Sequence, residues 1–251
     1  MISFVGAGPG DTDLITVKGL KRLKEADVII YAGSLVSDAH LQAAKDGCEF
    51  HNSAKMHLDQ VLNVMREANE KGLKVVRLHT GDPSIYGAIQ EQMDALESDG
   101  IEYELIPGVS SFTAAAAAIK REFTLPDVSQ TVILTRIEGR TPVPENENLV
   151  SLAKHKASMA IFLSVQDIDN VVQKLLEGYE NPKTPVAVVY RASWEDEDIV
   201  IGTLENIAEK VKAAGIRKQA QILVGDFIDT DYSLSKLYDR TFTTEYRKGE
   251  K

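Results

Sequence analysis

Cysteine is nearly absent from this chain: Cys48 stands alone in 251 residues, so no disulfide can form within one molecule. That usage fits a reducing cytoplasm. With no partner base indicated, Cys48 reads as a small apolar packing residue. No run of about 18 apolar residues occurs, so no transmembrane helix is expected. Nor is a signal peptide, because the first residues lead straight into a strand pattern without a basic segment or cleavage site. Positive charge is in short supply, with 28 Lys and Arg against 38 Asp and Glu and a net charge of −10. This disfavours a general nucleic-acid or anionic-membrane surface, though an anionic substrate needs only a local basic cleft. There is no Walker motif and no Ser-His-Asp pattern. His40, His51, His57, His79 and His155 share no i,i+4 pairing, so no zinc site is expected. Low-complexity sequence and internal repeats are absent too.

What is present is the composition of a soluble globular chain, 43% hydrophobic and 26% charged, long enough for one large domain or two ordinary ones. The apolar run Ile2–Val5 reads as a buried strand that ends in Gly6-Ala7-Gly8-Pro9-Gly10-Asp11. Leu14, Val17, Leu20 and Leu23 then recur every three residues, as one face of a helix would. In open α/β sheets, ligands bind at such turns, outside the carboxyl ends of strands. The dinucleotide fingerprint G-x-G-x-x-G fits poorly. Asp11 stands where the third glycine belongs, Pro9 removes an N–H donor, and Asp27 precedes the second strand instead of ending it. A strand-to-helix turn with no ligand is the alternative reading of this stretch alone.

Further strands are expected at Asp27–Tyr31, Lys74–His79 and Ile101–Ile106, with helices between them. Thr80–Gly87 and Pro107–Ser111 are turns at strand carboxyl ends, like Gly6–Asp11. This alternation predicts a mostly parallel sheet covered on both faces, with the three turns converging on one edge. After Leu125-Pro126-Asp127 the pattern changes. Strands Thr131–Thr135, Met159–Leu163, Val186–Tyr190, Ile199–Ile201 and Gln221–Val224 have more hairpin character. Arg136–Glu147 is long and polar enough for a lid or substrate-contact loop, and Glu195–Asp198 reads as a solvated hairpin turn. The simplest division is an N-terminal α/β domain over 1–115, a C-terminal α/β domain over 116–230, and a tail over 231–251. Tyr232, Tyr238, Phe242 and Tyr246 could staple that tail onto a neighbour.

Gly6-Ala7-Gly8-Pro9-Gly10-Asp11 with Leu14–Gly19 resembles the first signature of the tetrapyrrole (corrin/porphyrin) methyltransferases. Thr80-Gly81-Asp82-Pro83, Tyr86-Gly87 and Pro107-Gly108 resemble the second. Tyr31–Val36, His79–Ile89, Gln130–Arg136, Glu138–Glu145 and Gly215–Ala220 are similar to the branch that methylates precorrin-4, with or without cobalt, at C11 in cobalamin biosynthesis. The resemblance covers residues 1 to about 228, and Ser235–Asp239 also fits. It implies two α/β domains of the tetrapyrrole methylase type, not the Rossmann-type methyltransferase fold. S-adenosylmethionine would lie in an interdomain cleft, and the enzyme would be a homodimer acting on a small-molecule tetrapyrrole.

Carried over residue by residue, the resemblance puts Pro9 in the cofactor pocket wall. Thr80, Gly81, Asp82 and Ile85 would form a second contact, and Ser110, Ser111 and Phe112 a third. Leu163 would pack on the cofactor, and Ala192 and Ala220 would let backbone amides approach its adenine. Asp82 is read either as a hydrogen-bond acceptor for the cofactor or as a helix N-cap. Tyr86 is either a packing aromatic or a wall of the substrate trough. These two are the only candidates for a direct part in catalysis. Lys55, His57, Arg136 and Arg140 are loop cations that could pair with the carboxylates of the macrocycle, or ordinary exposed charges. Methyl transfer from a sulfonium needs alignment and a dry site more than a protein nucleophile. The sequence nominates no proton base.

Overall fold

The computed structural model describes residues 1–139 and 141–250, and every side chain among them except that of Ser34. They divide into two compact units. The first is Met1–Ala114 with Arg191–Glu197; the second is Ala115–Tyr190 with the chain from Asp198 onward. Arg191–Glu197, expected in the second domain, thus belongs to the first unit.

In the first unit, Ile2–Gly6 (β1), Val28–Tyr31 (β2), Glu49–Asn52 (β3), Val75–His79 (β4) and Tyr103–Ile106 (β5) form a parallel sheet in the order β3-β2-β4-β1-β5. Strand side chains alternate between faces. Ile2, Phe4, Val28, Ile30 and Val75 pack with Leu58–Glu70 (α3) and Gln90–Ser98 (α4). Val5, Ile29, Val76, Leu78 and Ile106 meet Leu23 of Val17–Glu25 (α1) on the other side. A sheet buried on both faces favours largely apolar strands, which is why β1, β2 and β4 stand out in the sequence. β3, with its exposed Glu49 and Phe50, does not, and this edge strand is missing from the sequence reading. α1 also starts later than the leucine spacing suggests. Thr12–Leu14 is a separate 3₁₀ turn, and Thr16 caps α1 by accepting from the Gly19 N–H at 3.1 Å. Val17 is exposed as a result.

In the second unit, Val132–Arg136 (β6), Ser158–Phe162 (β7), Pro185–Tyr190 (β8), Asp198–Thr203 (β9) and Ala220–Val224 (β10) form a mixed sheet in the order β6-β7-β10-β8-β9. Only β6 and β7 run parallel; β7-β10-β8-β9 is antiparallel, as hairpin-like spacing suggests. Its core joins Met159, Ile161, Val186, Val188 and Ile222 to Leu149, Val171, Leu175 and Val211, which lie on Leu149–Ala153 (α6), Ile168–Tyr179 (α7) and Ile207–Ala213 (α8). No helix among the described residues is long and apolar enough to cross a membrane.

Two polar residues lie inside the first unit, on the α4 face of β4. The Arg77 guanidinium donates to Gln92 Oε1 at 3.2 Å and to the Ile30 carbonyl at 3.3 Å, and burial lowers its pKa to about 10. His79 stacks near Phe4, its Nε2 without a partner; burial first, and Arg77 second, push its pKa down to about 3. His40, on the short helix Asp38–Leu41 (α2), is also buried and shifted down by that burial.

The folded protein therefore keeps these imidazoles neutral, whereas the unfolded chain takes up protons near pH 6.5. Below that pH the unfolded state binds more protons, so stability falls as pH drops from 6.5 towards 3. Glu104, held down to about 2 chiefly by Arg22, keeps its charge across most of this range. His79→Asn should flatten the stability–pH curve between pH 6.5 and 4.5 by up to about 1.4 kcal/mol per pH unit, measured by urea unfolding. An unaltered slope would remove His79 as its source.

Candidate functional site

β4, β1 and β5 are neighbours, so the turns that follow them leave the same edge of the sheet. Their backbones touch. Gly8 and Gly81 form an antiparallel bridge, Gly81 N–H donating to the Gly8 carbonyl at 2.8 Å and Gly8 N–H to the Gly81 carbonyl at 3.3 Å. A Cβ on Gly6 would stand 2.6 Å from Gly108 Cα and 2.6 Å from the Gly81 carbonyl oxygen; one on Gly108 would stand 2.1 Å from that oxygen. No side chain fits such gaps, so glycine here serves contact between the turns.

Asp82 fastens the second turn to the third. One carboxylate oxygen accepts from the Gly108 N–H at 2.9 Å, and the other from the Ser84 N–H at 2.8 Å and the Ser84 hydroxyl. It is not the N-cap of the following helix, where Ile89 stands instead. That helix begins late because Tyr86 (φ 56°) and Ala88 (φ 49°) are left-handed. Such strain in non-glycine residues gathers at functional sites. Tyr86 is also 44% exposed. Thr80 and Ile85 are half-buried beside Asp82. Ser110 is buried, its carbonyl accepting from the Ala114 N–H and the Thr113 hydroxyl, while Ser111 and Phe112 open Ser111–Ala118 (α5).

The connection from β8 to β9, Arg191–Glu197, lies on the first turn. The Trp194 indole N–H donates to the Pro9 carbonyl at 2.7 Å, and Ser193 Oγ accepts from the Asp11 N–H at 3.0 Å. A Cβ on Gly10 would come 2.1 Å from Trp194 Cδ1, so Gly10 makes room for the indole. Arg191 lies 4.0 Å over the indole ring and pairs with Asp196 at 2.8 Å. Glu197 accepts from the Ser193 N–H at 2.6 Å. The acidic run read as a solvated turn is thus partly internal bracing. Ala192 is buried within this strap. A cavity of about 330 Å³ adjoins Trp194, bounded also by Tyr31, Ser37, Asp38 and Asn52. The sequence reading missed Trp194; its signal was a lone tryptophan in a polar loop, two residues from Ala192.

In the second unit, Leu163 follows β7 with φ 53° and 64% exposure, an apolar side chain held outward on a strained backbone. Ala220 begins β10 opposite Tyr190, directly after left-handed Gln219. Arg136 is turned onto its own loop, donating to the carbonyls of Ile137, Thr141 and Pro142 at 3.1, 3.2 and 2.8 Å. The loop read as a lid is tied down by these bonds. Arg140 lies outside the described residues. Lys55 and His57 are exposed in the first unit, on the segment that leads into α3; His57 N–H donates to Gln60 Oε1 at 3.1 Å. The structure therefore places Pro9, Thr80, Gly81, Asp82, Ile85, Ser110, Ser111, Phe112 and Ala192 in the first unit, and Leu163 and Ala220 in the second.

Among the described residues no group of three or more His, Cys, Asp or Glu could hold a metal ion. The first unit offers a glycine-rich edge of three mutually fixed turns with the strained Tyr86 beside it.

The family model for tetrapyrrole (corrin/porphyrin) methylases matches residues 1–208. The chain is 60% identical over 251 residues to the cobalt-precorrin-4 C(11)-methyltransferase of Methanocaldococcus jannaschii, covering 100% of this chain and 97% of that one. It is 46% identical to the precorrin-4 C(11)-methyltransferase of Pseudomonas aeruginosa, over 99% of each. The crystal structure of a cobalt precorrin-4 methyltransferase superimposes with a TM-score of 0.89 at 50% identity, covering 91% of this chain and 96% of that one.

The contact between the turns sets an expectation for stability. Gly108→Ala should lower the unfolding free energy by about 3 kcal/mol, through overpacking against backbone that cannot give way. Asp82→Ala should lower it by about 2 kcal/mol through lost charge-assisted hydrogen bonds. Urea unfolding measures both, and losses below about 0.5 kcal/mol, the scale of ordinary surface changes, would contradict the packing described.

Proposed function

The chain belongs to the tetrapyrrole (corrin/porphyrin) methylases, and from that premise we propose that it transfers a methyl group from S-adenosylmethionine to C11 of precorrin-4 or cobalt-precorrin-4 in cobalamin biosynthesis. The observation that carries the reading is similarity along the whole chain to relatives named for that reaction, with the signature turns intact. When bound, S-adenosylmethionine supplies an activated methyl whose sulfur departs as a neutral thioether. The chain's own part is to position, desolvate and exclude.

We read the three fixed turns as the cofactor-binding edge. Pro9 shapes a wall. Thr80, Gly81 and Ile85 supply the second contact, and Ser110, Ser111 and Phe112 the third. Leu163, Ala192 and Ala220 are read as further cofactor contacts on the family resemblance alone. Asp82 acts in this reading as the lock that keeps Gly81 and Gly108 in place, because both its oxygens already accept hydrogen bonds within the turns. Three of the roughly four lone-pair sites of its carboxylate are used within the turns, which leaves one for the cofactor contact that the resemblance implies. Tyr86 is the group for the substrate side. Lys55, His57 and Arg140 are the cations read as partners for the carboxylates of the tetrapyrrole, as the family resemblance implies. Arg136 donates to the carbonyls of Ile137, Thr141 and Pro142, so its guanidinium is engaged within its own loop.

The chain is further proposed to work in the cytoplasm as a homodimer. Support comes from apolar side chains that stand exposed after Ile228, among them Leu234, Tyr238 and Tyr246, a surface for which a second copy is a natural cover.

Incubation with S-adenosylmethionine and precorrin-4, with and without cobalt, should add one methyl by mass. Carbon NMR should place it at C11. A methyl located on another carbon would transfer the chain to a different member of the same fold. Absence of any transfer, together with no S-adenosylhomocysteine released on denaturation, would overturn the reading.

A further inference from the structure

We infer that Trp194 is a positioning residue for cofactor binding, acting through the Pro9–Gly10 peptide of the first turn. The inference rests on the proposal that this turn is a cofactor edge. A trans peptide is planar, and its carbonyl and the following N–H point in opposite directions. The indole N–H bond to the Pro9 carbonyl, 2.7 Å long, therefore fixes which way the Gly10 N–H faces. Proline fixes φ but leaves ψ free, so Pro9 alone does not set this plane.

The strap is built to hold the indole in that pose. Arg191 covers one face of the ring at 4.0 Å. Asp196 holds Arg191, the Trp194 backbone N–H donates to the Arg191 carbonyl at 2.9 Å, and Glu197 braces the Ser193 N–H. Ser193 Oγ accepts from Asp11 two residues beyond Pro9, so the strap grips the turn at two points. Arg191 and Ser193 carry left-handed φ values of 46° and 69°, strain that the bracing over-determines. Gly10 completes the fit, since any side chain there would collide with the indole. The effect of these groups is on how the first turn is presented.

Trp194 is the only tryptophan in the chain, so its emission reports this one site. Titration of S-adenosylhomocysteine into the full-length protein should change the intensity or wavelength of tryptophan fluorescence, with the same Kd as calorimetry gives. Trp194→Phe keeps a ring over Gly10 and under Arg191 but has no N–H. It should weaken S-adenosylhomocysteine binding about fivefold, the scale of one hydrogen bond, and raise the cofactor KM by a similar factor while kcat falls much less. Ser193→Ala, which removes the second grip, should shift the Kd in the same direction. If wild-type protein binds no S-adenosylhomocysteine, the cofactor assignment of the turn fails and the inference with it. If wild type binds and both variants bind as tightly, the strap inference alone is overturned. A loss confined to kcat, or a silent tryptophan during a titration that calorimetry shows to be saturating, would also overturn it.

Discussion

The first unit depends on three backbones meeting where side chains would normally stand. Gly6, at the end of β1, and Gly108, after β5, leave volume that each other and the Gly81 carbonyl fill. Once the turns touch, the other features follow. The Gly8–Gly81 bridge, antiparallel where β1 and β4 pair in parallel, joins the first two turns past the strand ends, and the Asp82 carboxylate can reach the Gly108 N–H. Rigidity of this kind favours a reaction whose donor arrives already activated, because what the protein must supply is a fixed geometry.

This reassigns the glycines. A glycine-rich turn invites the thought that each missing side chain leaves space for a ligand. In this chain much of that space is filled by protein. Gly6 and Gly108 yield to backbone, and Gly10 to an indole. Ligand binding would then depend on the shape of the assembled edge.

The sequence made the parallel sheet and its three turns legible, because β1, β2 and β4 are buried on both faces and are largely apolar, with Ser3, Arg77 and His79 the exceptions. It also made the methylase family legible, since the turn residues are specific and come at specific separations. β3 was not legible; an edge strand with exposed Glu49 and Phe50 has no burial pattern to betray it. Nor was the late start of α4, which follows from backbone strain at Tyr86 and Ala88 that no propensity scale contains. The Asp82 lock and the Trp194 strap were hidden for a different reason. Both are contacts between distant segments, 26 and 185 residues apart, and sequence periodicity reports only near neighbours.

That last separation bears on how the chain is made. Synthesis proceeds from the N-terminus, and domains tend to form as they emerge. The sheet and the three turns can assemble once β5 and α5 have been translated, yet the grip on Pro9 must wait for the strap. Until then Gly10 borders an unfilled gap, and closing so long a loop slows the final step. On a translating ribosome the first turn would thus be the earliest part of the protein to be made and among the last to be finished.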